Sequence, residues 1–165
     1  MDINAVYEQC VQDPRRETNS IHSIFRELTG KRNPLSLRED FCGTAILCRE
    51  WVSKSSERWA VGVDIDPGVL KWGQENRLDS DASVSARVKL FEADVMTAQG
   101  VPKTEILVAL NYGVCFFPTF SKLVAYLKRC HEALQDGGMF VCDLFGGYKA
   151  QMGSEKVRQH GDVKV

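Results

Sequence analysis

The chain has no apolar run approaching the ~18–20 residues that a bilayer-spanning helix requires. Its opening decapeptide, MDINAVYEQC, carries neither the basic segment nor the apolar stretch of a secretion signal. Histidine is scarce and scattered, and the six cysteines (10, 42, 48, 115, 130 and 142) include no Cys-x-x-Cys pair. That leaves neither a metal-ligand cluster nor a disulfide scaffold to argue from. Several cysteines instead fall on apolar strand or helix patterns, as buried reduced thiols of a cytoplasmic protein would. Charge of one sign is also missing: the net value of −1 excludes strong general attraction to nucleic acid or to anionic membranes. Internal repeats, low-complexity segments and a three-glycine G-x-G-x-x-G turn are absent too. What remains is 165 residues, 44% of them apolar, enough for one globular core.

Residues 5–29 read as helical, with Ile21, Ile24, Phe25 and Leu28 on one face, Pro14 dividing two helices and Gly30 ending the second. A first strand at 35–40 leads through Phe41-Cys42-Gly43 into a helix over 44–53. A second strand, 59–64, ends on Asp64, and Pro67 opens the next helix, 67–76. A third strand spans 84–93 and ends at Asp94. The aliphatic run TEILVAL, 104–110, suits a strand covered on both faces. An amphipathic helix follows, with Phe120, Leu123, Val124, Leu127 and Leu134 on one side and Lys122, Lys128 and Arg129 opposite. Asp136-Gly137-Gly138 stops it, and 139–144 forms a fifth strand. Beyond Gly147 the chain turns polar and loses periodicity. Five alternations of strand and helix predict a parallel sheet with helices on both faces.

In such sheets ligands sit beyond the carboxyl ends of the strands, near the topological switch point. The stretch LSLREDFCGTA, 35–45, has the form of a strand ending in a small-residue turn that feeds a helix N-terminus, which is how α/β proteins cradle nucleotides. Four strands end on polar residues that would meet there: Glu39/Asp40, Asp64, Asp94 and Asn111. Asp64, 25 residues after Glu39, is placed to accept from both hydroxyls of a ribose; its plainer role is the N-cap of the Pro67 helix, which Asp66 could fill instead. Asp94 is either a turn residue or an acceptor for an exocyclic amine such as adenine N6. Asn111 and Tyr112 are either turn formers or ligand contacts. Cys42 and Cys115 have no neighbouring histidine in sequence, which favours packing over nucleophilic roles.

Taken in order, LREDFCGTA, AVGVDIDPGVLKWGQENR, FEADVMT, ALNYG and LQDGGMFVCDLFGG resemble the class I S-adenosylmethionine-dependent methyltransferases, in particular a subgroup with a D-F-C-G-T-[GA] first motif. The resemblance spans about residues 7–147. It implies an α/β, Rossmann-like three-layer sandwich with a mostly parallel sheet, here cut off after about strand five, and S-adenosyl-L-methionine as cofactor. By position, Glu39, Phe41, Cys42 and Gly43 would face its methionine and sugar portions. Asp64 would bind the ribose hydroxyls, Ile65 would pack on the adenine, Asp94 with Val95 would meet the adenine amine, and Asn111 would face the methionine end. Tyr7 and Gln12 would belong to an N-terminal helical lid (1–33) over a cofactor-binding core (34–147), with Tyr112 beside the acceptor and 148–165 as a polar tail, the start of a missing strand.

Two departures stand out. Of the three glycines in the common E/D-x-G-x-G-x-G pattern only Gly43 is kept, with Phe41 and Ala45 at the other two positions. The fold normally continues into a sixth and an antiparallel seventh strand, for which the residues after Gly147 are too few. The flank of strand five would then be an open sheet edge, belonging to a truncated enzyme or covered by a partner or a second subunit. Asn111-Tyr112 matches the ends of the N-P-P-Y loop of amino-group methyltransferases but lacks both prolines, so the resemblance gives no acceptor class. The expected activity is methyl transfer to a small molecule through alignment of the reactants, with no general base named. A nicotinamide-dependent oxidoreductase and a non-catalytic cofactor-binding module are the competing readings.

Overall fold

A computed structural model describes residues 2–30, 33–147, 159–160 and 163–164. Five parallel strands, β1 (Ser36–Asp40), β2 (Trp59–Asp64), β3 (Val88–Glu92), β4 (Thr104–Ala109) and β5 (Leu134–Cys142), lie in the order β3-β2-β1-β4-β5. Leu37 of β1 is in register with Ala60 on one side and Ile106 on the other. The order reverses between β1 and β4, so the switch point falls at the carboxyl end of the central strand.

Each strand is divided by the two-residue period of its side chains. Leu37, Ala60, Val88, Ile106, Val108 and Met139 join one core with Ile21 and Phe25 of α2 (Pro14–Leu28), with Leu47, Cys48, Trp51 and Val52 of α3 (Ile46–Ser53), and with Leu70 of α4 (Pro67–Gly73) and Val84 of α5 (Ala82–Ser85). Val63, Leu107 and Ala109 face the other way, against Tyr126 and Cys130 of α6 (Phe120–Ala133). The expected two-sided sheet is what the chain forms. The link from β3 to β4 contains no helix, so the alternation of strand and helix lapses once.

Four expectations need correction. The last helix ends at Ala133, so Leu134 and the expected stop at 136–138 belong to β5, which runs Leu134–Cys142 instead of 139–144. The third strand starts at Val88, because Asp81 accepts from the backbone N–H of Ser83 (2.9 Å) and Val84 (3.4 Å) and winds 82–85 into the short α5. On α2 the buried stripe is Thr18, Ile21 and Phe25, while Ile24 and Leu28 are exposed. On α6 it passes through Tyr126 and Cys130, leaving Phe120 81% exposed and Leu127 on the surface. Tyr126 prevails over Leu127 because its hydroxyl donates to Asp40 Oδ2 (3.0 Å) and its ring stacks on Phe117, centroids 4.7 Å apart.

β1 is buried at every position although it reads Ser-Leu-Arg-Glu-Asp. Arg38 and Asp40 share the α6 face, and Arg38 Nε donates to Asp40 Oδ1 at 2.7 Å. Glu39 points to the α3 face, where Cys48 Sγ donates to its Oε2 at 3.2 Å. Burial raises the Asp40 carboxyl above its ordinary range, with Arg38 pulling it back.

Among the described residues the strand that pairs with β5 is β4. Most of the expected tail, 148–165, lies outside the described residues. Within it, β6 (Gln159–His160) and β7 (Val163–Lys164) form a separate antiparallel ribbon.

Candidate cofactor site

A cleft of about 650 Å³ opens at the switch point, within the ~300–1,000 Å³ of ordinary ligand pockets. Its floor is the turn after β1. There Phe41, Gly43 and Ala45 have φ of 59°, 53° and 57°, all left-handed. The three positions of the glycine pattern therefore keep one backbone conformation with a single glycine among them. For Phe41 and Ala45 this costs on the order of 1–3 kcal/mol each. Packing offsets the strain: Ala45 is fully buried, and the Phe41 ring lies against Phe116, Phe117 and Tyr126. Asn111 (φ 53°) and Tyr112 (φ 62°), after β4, are the other non-glycine residues in this region of backbone space among those described. All four belong to the two turns that meet at the cleft, and backbone strain of this kind gathers at binding sites.

The turn is fixed from three directions. Cys42 N–H donates to Val63 carbonyl O (3.1 Å), Gly43 N–H donates to Asp64 Oδ2 (2.8 Å), and Ala45 N–H donates to Cys42 carbonyl O (2.8 Å). Gly62 of β2 leaves room for the Cys42 thiol, since a Cβ there would lie 2.7 Å from Sγ. Gly73, at the end of α4, lies directly on the Thr44 carbonyl, where a Cβ would overlap it. Gly113 does the same for the Phe41 ring, which a Cβ would meet at 2.5 Å. These three glycines stand outside the pattern searched for in the sequence. Their signal was an isolated glycine in a strand or helix, which can mark close backbone approach.

Asp64 and Asp94, at the ends of β2 and β3, line the same cleft. Asp64 Oδ2 takes the Gly43 N–H and its Oδ1 takes the Asp66 N–H (3.0 Å). Each oxygen keeps a second lone pair for a hydroxyl donor. The N-cap of α4 is Asp66, accepting from Gly68 N–H (2.8 Å) and Val69 N–H (3.2 Å). Ile65 is 69% exposed at the cleft wall, beside Val69 and the buried Val95. Asp94 Oδ1 accepts from Met96 N–H (2.8 Å), so the residue both shapes its turn and faces the cleft.

Phe41, Cys42, Gly43, Ile65, Val95, Asn111, Tyr7 and Gln12 also line the cleft; Glu39 and Tyr112 do not. Glu39 lies beneath the floor, 2% exposed, and burial raises its carboxyl to about 8, against the pull of the Cys48 thiol. At neutral pH it is chiefly a neutral acid. Tyr112 packs edge-on against Phe145 at the rim (5.7 Å), while its N–H donates to Asp143 Oδ1 (2.8 Å). Cys42 is buried and its thiol is pushed well above the ordinary value by desolvation, which suits packing and not nucleophilic attack. Cys115 is exposed, away from the cleft lining.

Over the cleft runs α1 (Ile3–Val11), which has no buried residue and is held by polar contacts. Glu8 accepts from Thr44 Oγ1 (2.5 Å) and from Arg77 Nε (2.7 Å) and Nη2 (2.5 Å). Asp2 Oδ2 accepts from Trp72 Nε1 (2.6 Å), and the Arg77 guanidinium stacks 4.5 Å over the Trp72 ring. Arg77 sits in a π-helical turn, Gln74–Leu78, that follows α4. Sequence reasoning missed Glu8 and Arg77, whose partners lie 36 and 69 residues away along the chain.

No protein-family model matches the chain, and no curated protein matches it by sequence. Solved structures match it by shape. An S-adenosylmethionine-dependent methyltransferase from Clostridium acetobutylicum superposes with a TM-score of 0.77 at 17% identity, over 97% of this chain and 64% of that one. The sugar N-methyltransferase KedS8 from Streptoalloteichus gives 0.75 at 15% identity, over 97% and 61%. The amino pentose methyltransferase CalS10 from Micromonospora echinaspora, solved with S-adenosylmethionine bound, gives 0.70 at 16%, over 88% and 56%. The chain thus spans about 56–64% of the length of these structures. Together with the strand order and the cleft at its switch point, the likeness shows that this chain has the Rossmann-like fold of those methyltransferases.

Proposed function

We propose that the protein binds S-adenosyl-L-methionine in this cleft and transfers its methyl group to a small-molecule acceptor. The observation that carries the reading is the convergence of Asp64 and Asp94 on one cleft beside the left-handed turn at 41–45. The residues fit the cofactor piece by piece. Asp64 has spare lone pairs for the ribose diol, and the exposed Ile65 with Val69 and Val95 offers an apolar slot for the adenine. Asp94 can accept from the adenine amine. The methionine portion would lie along Phe41, Cys42, Gly43 and Asn111, with Glu39 supporting the turn from below and Tyr112 holding the rim.

The cofactor supplies an electrophilic methyl on a sulfonium that leaves as a neutral thioether. This chain supplies position and dryness. Well-aligned reactants gain up to ~7–11 kcal/mol from pre-set geometry alone, and no general base is required for an acceptor that already carries a lone pair. Residues 1–33 act as the lid in its first helix: α1, with Tyr7 and Gln12 on the cleft, closes over the ligand through Glu8. We assign the chain to the subgroup carrying the D-F-C-G-T-[GA] motif on the strength of residues 40–45. A second subunit or a partner against the far side of β5 belongs to the same proposal, and light scattering would test it. The buried thiols of Cys42, Cys48 and Cys130 fit a cytoplasmic location.

Calorimetry with S-adenosylhomocysteine and with NAD tests the reading. Micromolar binding of the first, none of the second, and loss of the first in Asp64→Ala support it. Equal binding by the Asp64→Ala variant, or preference for NAD, overturns it.

A further inference from the structure

A second cavity, of about 350 Å³, adjoins the cofactor cleft and shares one wall residue with it, Leu110. It is bounded by the α1–α2 corner and by the carboxyl ends of β4 and β5. Val11, Ile21, Ile24 and Val141 give it an apolar body; Asp13 and Glu17 give it an acidic end. Asp13 caps α2 by accepting from Arg16 N–H (3.1 Å), and Glu17 Oε1 takes a long bond from Asp13 N–H (3.4 Å).

Among the described residues no ion pair engages Asp13, Glu17 or Asp143. Arg16 reaches the cavity wall without pairing with any of them. Desolvation, with the negative charge of Asp13 and Asp143, raises the Glu17 carboxyl, and the Tyr7 hydroxyl is raised by desolvation and then by Asp143 and Glu17. Among the described residues the corner between the two cavities thus gathers the carboxylates of Asp13, Glu17 and Asp143, with Glu17 part-buried and Arg16 as the cation on the cavity wall. A carboxylate in that position is stabilised by a cation brought in from outside.

We infer that this second cavity is the acceptor subsite and that it takes a small molecule with an apolar skeleton and a basic amine, the amine paired with Glu17. The inference rests on the methyltransferase reading, because only that reading places a methyl donor in the cleft on the other side of Leu110. Glu17 is a positioning residue that pairs with the incoming ammonium, whose proton passes to solvent before the nitrogen lone pair can meet the methyl group. An acidic acceptor would have to bring a third anion beside Glu17 and Asp13, with Arg16 the one cation among the described residues that line the cavity.

The test uses the whole chain loaded with S-adenosylhomocysteine and titrated by calorimetry at neutral pH. The probes are cyclohexylamine, benzylamine and phenethylamine, each beside its neutral alcohol and its carboxylate analogue. The expected result is that the amines bind at least tenfold tighter than their alcohols. Glu17→Gln should remove that preference while leaving the S-adenosylhomocysteine affinity within twofold. Ile24→Trp, which fills the cavity from its solvent side, should weaken amine and alcohol together. Amines that bind no better than alcohols, carboxylates that bind best, or a preference kept by Glu17→Gln each overturn the subsite with the cofactor reading intact. Failure of S-adenosylhomocysteine itself to bind removes both.

Discussion

Arg77 holds Glu8 through two nitrogens on a single carboxylate oxygen, Nε at 2.7 Å and Nη2 at 2.5 Å, across 69 residues of sequence. This clasp joins α1 to the π-helical turn after α4, and the other Glu8 oxygen takes the Thr44 hydroxyl of the cleft floor. Glu8 is well shielded from solvent, so the pair exceeds an ordinary surface bridge. Arg77→Met should raise the dissociation rate of S-adenosylhomocysteine about fivefold, equivalent to roughly 1 kcal/mol of a charge-assisted contact. Stopped-flow displacement reads this directly, and added salt should speed release from the wild type more than from the variant.

Asp64 has two duties, tying down the Gly43 N–H and offering lone pairs to the ribose. Asp64→Ala should weaken S-adenosylhomocysteine by roughly 1–3 kcal/mol, the range for lost hydrogen bonds to a charged group. Calorimetry measures it. A variant that binds as tightly as the wild type would place the ribose elsewhere.

Glu39 makes stability depend on pH. Its carboxyl is raised from 4.5 to about 8 in the folded protein, chiefly by burial. Below 4.5 it is protonated in both folded and unfolded chains and costs nothing. As pH climbs from there to about 8 the unfolded chain ionises first, so the folded state loses ground throughout that window. Glu39→Gln removes the titration. Melting temperatures of variant and wild type should therefore diverge in the variant's favour between pH 5 and pH 8. Parallel curves would mean that Glu39 ionises freely in the fold.

Gly73 permits α4 to touch the backbone of the cofactor turn. Gly73→Ala should cost roughly 1–3 kcal/mol, as overpacking against an unyielding neighbour does, and should lower cofactor affinity by displacing Thr44. Gly146→Ala meets nothing within 4 Å and serves as the neutral control. Thermal melts of the two variants decide the matter.

The sequence exposed the sheet more fully than the helices. Continuous aliphatic runs such as 104–110 have one interpretation in an α/β chain, and Asp66-Pro67 announces a capped helix wherever it occurs. Helix phase was harder. On α6, Leu127 and Tyr126 are neighbours, and only the Tyr126–Asp40 bond, between residues 86 apart, turns the helix toward the tyrosine. Leu28 and Phe120 are the last residue of α2 and the first of α6, and both are exposed. For the site, strand-end carboxylates could be read from order and spacing. The clasp on α1 could not, because Glu8, Arg77 and Thr44 have no local pattern in common. Nor does composition reveal that Phe41 and Ala45 adopt a glycine's backbone, since Phe41 is held there by an aromatic cluster assembled from α6 and the turn after β4, and Ala45 by burial in the opposite core.

The buried polar groups of β1 have one further effect. Sliding that strand by a single residue would swing Arg38 and Asp40 toward Cys48 and Trp51, and set Glu39 before the ring of Tyr126. Asp40 would then lose the Tyr126 hydroxyl and Glu39 the Cys48 thiol, and the Arg38–Asp40 pair would be pressed among apolar side chains, a cost that weighs against the misaligned sheet. A purely aliphatic middle strand would accept such a shift far more easily. In this chain Arg38, Glu39 and Asp40 work as the teeth of a key, admitting one alignment of the sheet and thereby fixing where the ligand-binding turn begins.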